Sequence, residues 1–256
     1  MNYNFLTISD QGEFRKSNQD SFYANSVSTK LGKAFLGIVC DGMGGLSHGE
    51  VASATVISSF SEWFEHEFRY IMPGDGFEDA VASQWQGLIT EANNGLRALA
   101  AESSQSMGTT ISALLLVGDK FYIAQVGDSR VYMGGEGFFA PVTKDHSYVM
   151  EQADKGLMTY EEARLSSKKN VLTRCIGVLE QVQADLYTGD VVAGDYFLIC
   201  SDGYCSSLTP QEVYSMSGCV AGNPPKNKAA LEAAVAHKRS LGEKDNITAV
   251  TVAVTK

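Results

Sequence analysis

Four aspartates stand at the ends of apolar runs, and their repetition is the first chemical signal in the chain. Ala34 to Gly45, AFLGIVCDGMGG, is an apolar stretch that reaches Asp41 and breaks into glycines. Tyr196 to Gly203, YFLICSDG, delivers Asp202 in the same way. Phe121 to Arg130, FYIAQVGDSR, places Asp128 just past its run, and Asp245 with Asn246 comes immediately before ITAVTVAV. A single Asp-Gly pair is an ordinary turn. Four acids on four predicted strands are carboxylates on rigid supports, with Asp41 expected where its strand stops. Carboxylates with few histidines nearby favour hard, oxygen-seeking cations, Mg²⁺ or Mn²⁺ ahead of zinc. His48, His66, His146 and His237 make no HxxxH pair, the cysteines make no CxxC pair, and His146 reads as a structural histidine. The DGMGG loop lacks the repeated acids of an EF-hand and the glycine spacing of a dinucleotide fingerprint.

Two such cations, with Asp41 as a bridging ligand, would lower the pKa of a shared water and make it a nucleophile near neutral pH, which suits phosphoester hydrolysis. Arg15, close in sequence to Asp20, could bind a phosphate dianion through two parallel hydrogen bonds. Other phosphatase chemistries leave signatures that are absent. No cysteine has an arginine six positions downstream, and Ser129 in GDSRV lacks the second glycine of a nucleophile elbow. Water attack at metals remains.

The elements that must position these groups are legible as follows. Tyr3 to Ser9 reads as a strand, and Phe22 to Ser28 with Ala34 to Cys40 reads as a hairpin. Glu50 to Tyr70 carries Val56, Phe60, Phe64 and Phe68 at four-residue spacing, widened by Ile57 and Trp63, which predicts a helix facing a core. Pro73, Gly74 and Gly76 break it. A second helix runs from about Glu78 to Ala101, with Val81, Trp85, Leu88, Ala92, Leu96 and Leu99 on one face. The tryptophans and the phenylalanine stripe are therefore core. Met107 to Val117 and Lys120 to Val126 are the next strand pair, and Arg130 to Met133 with Phe138 to Pro141 suggest another hairpin. Strands in succession without helices favour antiparallel sheets.

Lys144 to Thr173 is a polar excursion with short helices, Gly156 as a stop and Thr159 to Glu162 as a capping box. Leu186 to Val192 and Tyr196 to Cys200 resume the strands. Thr209-Pro210-Gln211-Glu212 starts a helix, Gly218 to Lys226 is a loop with two prolines, Lys228 to Ser240 is a helix, and Ile247 to Val254 is the last strand. Gly44, Gly45 and Gly49 are read as allowing a tight turn and close packing.

The 256 residues, with no linker or charge block, are expected to form one domain. A composition of 44% hydrophobic and 20% charged residues excludes the disordered class, and a net charge of -10 argues against non-specific nucleic-acid or anionic-membrane binding. The five cysteines, Cys40, Cys175, Cys200, Cys205 and Cys219, are odd in number and read as reduced core residues. Met1 to Asp10 does not resemble a signal peptide, and no run approaches the ~20 apolar residues of a membrane span. The expected location is cytoplasmic.

Taken in order, RKSNQD (Arg15 to Asp20), CDGMGG (Cys40 to Gly45), MGTT (Met107 to Thr110), VGDSR (Val126 to Arg130), KDHS (Lys144 to Ser147), NVLTRCIG (Asn170 to Gly177), CSDG (Cys200 to Gly203) and KDNIT (Lys244 to Thr248) resemble the PP2C-type, or PPM, metal-dependent protein serine/threonine phosphatases, especially the compact bacterial kind. The resemblance spans nearly the whole chain. It implies an α+β fold, a four-layer α-β-β-α sandwich of two antiparallel sheets flanked by helix pairs, with a binuclear site at one end. It implies that Asp41 bridges two Mn²⁺ or Mg²⁺ ions, that the Gly42 carbonyl ligates one, and that Asp202 and Asp245 hold the other. Asp20 would act through a water of the metal, Arg15 would bind the phosphate, and Asp128 would help hold a weaker third ion. Residues 144–173 correspond to a mobile flap in which substrate selection is expected. The implied partners are phosphorylated proteins and a cognate serine/threonine kinase, for a monomeric enzyme.

Two departures stand out. Gln19 replaces the Glu of many relatives, which makes an acidic contact neutral and is expected to weaken metal affinity. Met43 replaces a His that some relatives use to protonate the leaving alkoxide, and methionine cannot do so. With two divalent ions, Asp20, Asp41, Asp202 and Asp245 balance in charge, and Arg15 leaves the pocket positive. The alternative from another class is a catalytically inactive domain of the same fold that binds phosphoproteins or a kinase. A phosphatase acting on small molecules is a further reading.

Overall fold

Two antiparallel sheets meet face to face because their central strands are apolar on both sides. In the computed structural model, which describes residues 1–30, 32–44, 48–71, 74, 76–217 and 227–256, the chain opens with β1 (Asn2–Asp10), β2 (Asp20–Thr29) and β3 (Gly32–Gly44). The helices α1 (His48–Glu62) and α2 (Phe77–Ser103) follow. Then come β4 (Met107–Thr109), β5 (Ile111–Val117), β6 (Lys120–Val126), β7 (Arg130–Gly135) and β8 (Phe138–Pro141). The excursion holds α3 (Tyr148–Asp154) and α4 (Tyr160–Leu165). The chain ends with β9 (Asp185–Asp190), β10 (Tyr196–Cys200), α5 (Asp202–Cys205), α6 (Pro210–Met216), α7 (Lys228–Ser240) and β11 (Ile247–Thr255). Gly45, Pro73, Cys219 and the 218–226 loop lie outside the described residues.

One sheet runs β1-β11-β10-β7-β8 and the other β2-β3-β5-β6-β9, with β4 attached to β3. Along β3, Leu36, Ile38 and Cys40 face α1 and α2, while Phe35 and Val39 face the opposite sheet. β10 divides likewise, with Phe197 and Ile199 inward and Leu198 and Cys200 toward Tyr204, Val213 and Ala234 of α5, α6 and α7. This two-sided burial is why both runs read as continuously apolar. The four-layer sandwich of two antiparallel sheets flanked by helix pairs is the observed architecture.

The helices differ from their expected form in two respects. Residues at strict four-residue spacing drift by about 40° per step around a 3.6-residue helix. Val56, Phe60, Phe64 and Phe68 are nevertheless all buried, because α1 passes into a wider π turn at Trp63–Glu67 and then a 3₁₀ turn at Phe68–Tyr70. On α2, Ile89 is fully buried and Leu99 is exposed, so the core face is rotated from the expected stripe. Trp63 and Trp85 sit edge to face in that core, with ring centroids 5.8 Å apart. Among the described residues no helix is long and apolar enough to cross a membrane.

Candidate active site

Asp41 does not end its strand. β3 continues through Gly44, but at Asp41 it changes partners. Residues up to Asp41 pair with β2, where Asp20 and Asp41 are direct cross-strand neighbours, and Gly42 to Gly44 pair with Met107–Thr109. Asp41 thus stands at a fork between two pairings. Its N–H donates to Thr110 Oγ1 at 2.9 Å, and its carbonyl accepts from Thr110 N at 2.9 Å and Thr109 Oγ1 at 3.0 Å. The main chain that carries the carboxylate is therefore pinned on both sides.

Asp202 opens the one-turn helix α5 directly after β10, rather than a turn. Gly203 is what permits this, since a Cβ there would lie 1.9 Å from the Asn246 carbonyl oxygen. Gly42 has the same function, because a Cβ would lie 2.0 Å from the Gly49 carbonyl oxygen. The two Asp-Gly pairs are close crossings of chain, and they press CSDG against KDN and CDGMG against the start of α1. Asn246 completes the clamp. Its Oδ1 accepts from Gln19 N at 2.9 Å, and its Nδ2 donates to Gln11 O at 2.9 Å and Ser17 O at 3.3 Å. Arg239 donates to the Asp245 carbonyl at 2.6 Å.

These contacts bring Asp20, Asp41, Asp128, Asp202 and Asp245 into one electrostatic cluster. Burial, followed by the charges of Asp20, Asp202, Asp128 and Asp245, pushes the Asp41 carboxyl far above the usual range. Asp20 rises to about 7, chiefly by burial and then by Asp202 and Asp245, against hydrogen bonds from Thr248 and Ser201. Asp202 rises to about 6 through burial, Asp245 and Glu243, with Asp41 and Lys169 opposing. Asp128, in the β6–β7 loop, is raised by burial, Asp202 and Asp145, with Arg130 opposing.

Carboxylates forced together in this way need counter-charge, and part of it is present. Arg15 Nη2 lies 2.5 Å from Asp245 Oδ2, with the arginine side chain half exposed. Asp20 Oδ1 and Asp202 Oδ1 are buried without a hydrogen-bond partner, so both have lone pairs free for a cation. Among the described residues, no three His, Cys, Asp or Glu side chains are grouped so that they could hold a metal ion as they stand. The donor set fits Mg²⁺ or Mn²⁺ on those terms, since ions of this class keep several waters and take one or two carboxylates each.

Two residues that hold the site carry no signal of their own in the sequence. Ser201 Oγ donates to Asp20 Oδ2 at 2.8 Å and accepts from Thr248 N at 3.0 Å. Thr110 Oγ1 also hydrogen-bonds Ser129 Oγ at 2.7 Å, tying the Asp41 fork to the Asp128 loop. Both lie inside the CSDG and MGTT motifs, but hydroxyls are too common to stand out. His146 is structural, as read. Its Nδ1 accepts from Gly127 N at 3.1 Å, which leaves Nε2 to donate to Asp185 Oδ2 at 3.1 Å, and burial holds the ring neutral.

The family model for protein phosphatase 2C matches residues 15–235. A putative protein phosphatase 2C-type of Streptococcus pyogenes serotype M6 is 31% identical over 95% of this chain and 94% of that protein. The serine/threonine phosphatase structure of S. agalactiae is similar with a TM-score of 0.81 and 31% identity, covering 99% of this chain and all of that one. The catalytic domain of the phosphatase PstP, solved in complex with two manganese ions, is similar with a TM-score of 0.78 and 28% identity over 99% of both chains.

Proposed function

The chain belongs to the protein phosphatase 2C family, and from that premise we propose how its own residues hydrolyse phosphoserine and phosphothreonine in proteins. It is a metal-dependent protein serine/threonine phosphatase. The observation that carries the assignment of residues is the buried carboxylate cluster, with Asp20 Oδ1 and Asp202 Oδ1 unpartnered. Asp41, Asp202, Asp245 and the Gly42 carbonyl would hold two divalent ions, Asp20 would act through a water, and Asp128 would contribute to a weaker third. Bound there, Mn²⁺ or Mg²⁺ supplies an activated water and offsets the charge of the phosphate.

Arg15 binds and orients the substrate. Its guanidinium is on the exposed side of the cluster, so it can turn from Asp245 to two phosphate oxygens. Ser201 and Thr248 fix Asp20, and Thr110 fixes the Asp41 main chain, which limits how far these carboxylates have to move to meet a cation. Met43 holds no proton to give, so the leaving alkoxide takes its proton elsewhere.

The whole chain is one catalytic domain in this reading, with residues 144–173 as its flap. It acts as a monomer on phosphorylated proteins, including a cognate kinase and its targets, and on neither nucleic acid nor membranes. Cys40, Cys175, Cys200 and Cys205 are free and buried, which suits the cytoplasm. The test is phosphate release from a phosphothreonine peptide with Mn²⁺ or with EDTA, for the native chain and Asp202→Asn. Metal-dependent release that the substitution abolishes is expected. No release from a folded, Mn²⁺-loaded chain would overturn the reading in favour of an inactive phosphoprotein-binding domain.

A further inference from the structure

A cavity of about 490 Å³ lies between the 144–173 excursion and the body of the molecule. Asp128 and Asp202 are part of its wall, so it is continuous with the carboxylate cluster. Much of the rest is apolar, from Val149, Met150, Tyr160 and Ala163 of α3 and α4 and from Leu208 before α6. The volume is in the range of ligand pockets and many times the ~30 Å³ that one water takes.

The charges around it decide what it can hold. Arg130 is paired with Asp145 by two hydrogen bonds of 2.8 Å, Lys144 with Asp154, and Arg164 with Glu161. These cations are already neutralised, so the cavity is not built for a second phosphate. Lys169 differs. Its ammonium is hydrogen-bonded to the Ser207 hydroxyl, and among the described residues no carboxylate pairs with it. Ser147, only 1% exposed, lines the same cavity, and its Oγ is buried with no hydrogen-bond partner. Ser147 precedes α3 without capping it, so its hydroxyl is not used by the helix. Away from Asp128 and Asp202, which lie in its wall, the hollow is apolar with two donors and suits one apolar side chain together with the peptide carbonyls beside it.

We propose that this cavity receives a leucine-, methionine- or phenylalanine-class side chain of the protein substrate, a near neighbour of the phosphorylated residue, with Ser147 Oγ and Lys169 Nζ donating to the substrate's backbone carbonyls. The proposal rests on the reading of the chain as a protein phosphatase. It also gives the excursion a defined part in substrate choice. α3 and α4 pack on each other through Val149, Ala153 and Ala163, a small core separate from the sheets, and this fixes the apolar wall.

The test compares two phosphothreonine peptides, one with leucines and one with glycines on both sides of the phosphorylated residue. The native chain with Mn²⁺ is expected to favour the leucine peptide in kcat/KM by at least tenfold, equivalent to about 1.4 kcal/mol. Ala163→Met, which adds volume at a fully buried residue of the cavity wall, is expected to bring that ratio toward one. Met150→Ala, which enlarges it, should shift preference from leucine toward phenylalanine. Each ratio is internal to one protein, so differences in folded fraction or metal loading cancel. A native ratio near one, or a ratio that Ala163→Met leaves unchanged while Met150→Ala shifts nothing, overturns the proposal. If neither peptide is hydrolysed, the anisotropy of the same peptides carrying fluorescein gives the ratio as Kd values. Preferential binding of the leucine peptide without turnover would uphold the cavity and refute the catalysis, and equal Kd values would overturn the cavity.

Discussion

Asp20→Asn should stabilise the metal-free protein while destroying its activity, and the size of the effect follows from the burial of one carboxyl. Asp20 is held at about 7 against an ordinary 3.8. A group raised in the folded state keeps a proton that the unfolded chain has released, so its stabilising effect is complete below pH 3.8 and is lost as pH rises through about 7. Above that, ionised Asp20 costs on the order of 4 kcal/mol. Asparagine removes the charge and can still accept from Ser201. It places an NH₂ group where Oδ1 has no partner, a cost of about 1–3 kcal/mol. The net gain at pH 8 in EDTA is then about 1–3 kcal/mol, a rise in Tm of roughly 2–10 °C for a chain of this size. At pH 4.5 the folded chain keeps the Asp20 proton and most of that charge penalty is gone, so the cost of the amide remains and the variant should be no more stable than the native chain. Scanning calorimetry in EDTA at the two pH values, followed by Mn²⁺ titration, reads all of this. Mn²⁺ should raise the native Tm at pH 8 more than that of the variant. An Asp20→Asn chain less stable than the native one in EDTA at pH 8 would refute the claim that this cluster is charge-strained without metal.

Three further outcomes follow from single contacts. Arg15→Ala should raise KM for a phosphothreonine peptide about tenfold or more, while Mn²⁺ binding measured by calorimetry is no weaker, since Arg15 competes for Asp245 Oδ2. A fall in Mn²⁺ affinity would show that Arg15 supports the metals. Ser201→Ala removes a donor to Asp20 and an acceptor for Thr248 N–H in a fully buried place, and should cost about 1–3 kcal/mol in urea unfolding at pH 5 in EDTA; no change would mean those hydrogen bonds contribute nothing. Gly203→Ala forces a methyl onto the Asn246 carbonyl and should cost at least ~2 kcal/mol in the same assay, with turnover lost as CSDG and KDN separate; a neutral result would place that crossing elsewhere.

What the sequence made legible divides by how local the cause is. The capping boxes at Thr159–Glu162 and Thr209–Glu212 form as read, because a cap is decided by residues three apart. The apolar runs ending in acids were readable because central strands buried on both faces carry no polar alternation to blur them. The end of β3 was not readable. Gly42 to Gly44 remain extended because Met107 to Thr109, far along the chain, pair with them, and nothing near Asp41 announces that partner. The rotated face of α2 has a similar origin, since Asn93 is turned inward to hold Gly177 N at 2.7 Å and Leu179 O at 3.0 Å, and the helix follows it.

At the site, the acids were visible and their supports were not. A repeated acid after an apolar run is rare enough to signal, whereas Ser201, Thr110 and Asn246 act through hydroxyls and an amide of kinds found throughout the chain. The glycines after Asp41 and Asp202 do more than the ordinary turn that a single Asp-Gly pair suggests. Gly42 and Gly203 are required because another segment of the same chain passes within 2.0 Å of where a Cβ would be, which no turn preference encodes. The carboxylates are thus brought together by backbone crossings that exclude side chains, and the free energy stored in their repulsion is what a divalent cation can release on binding.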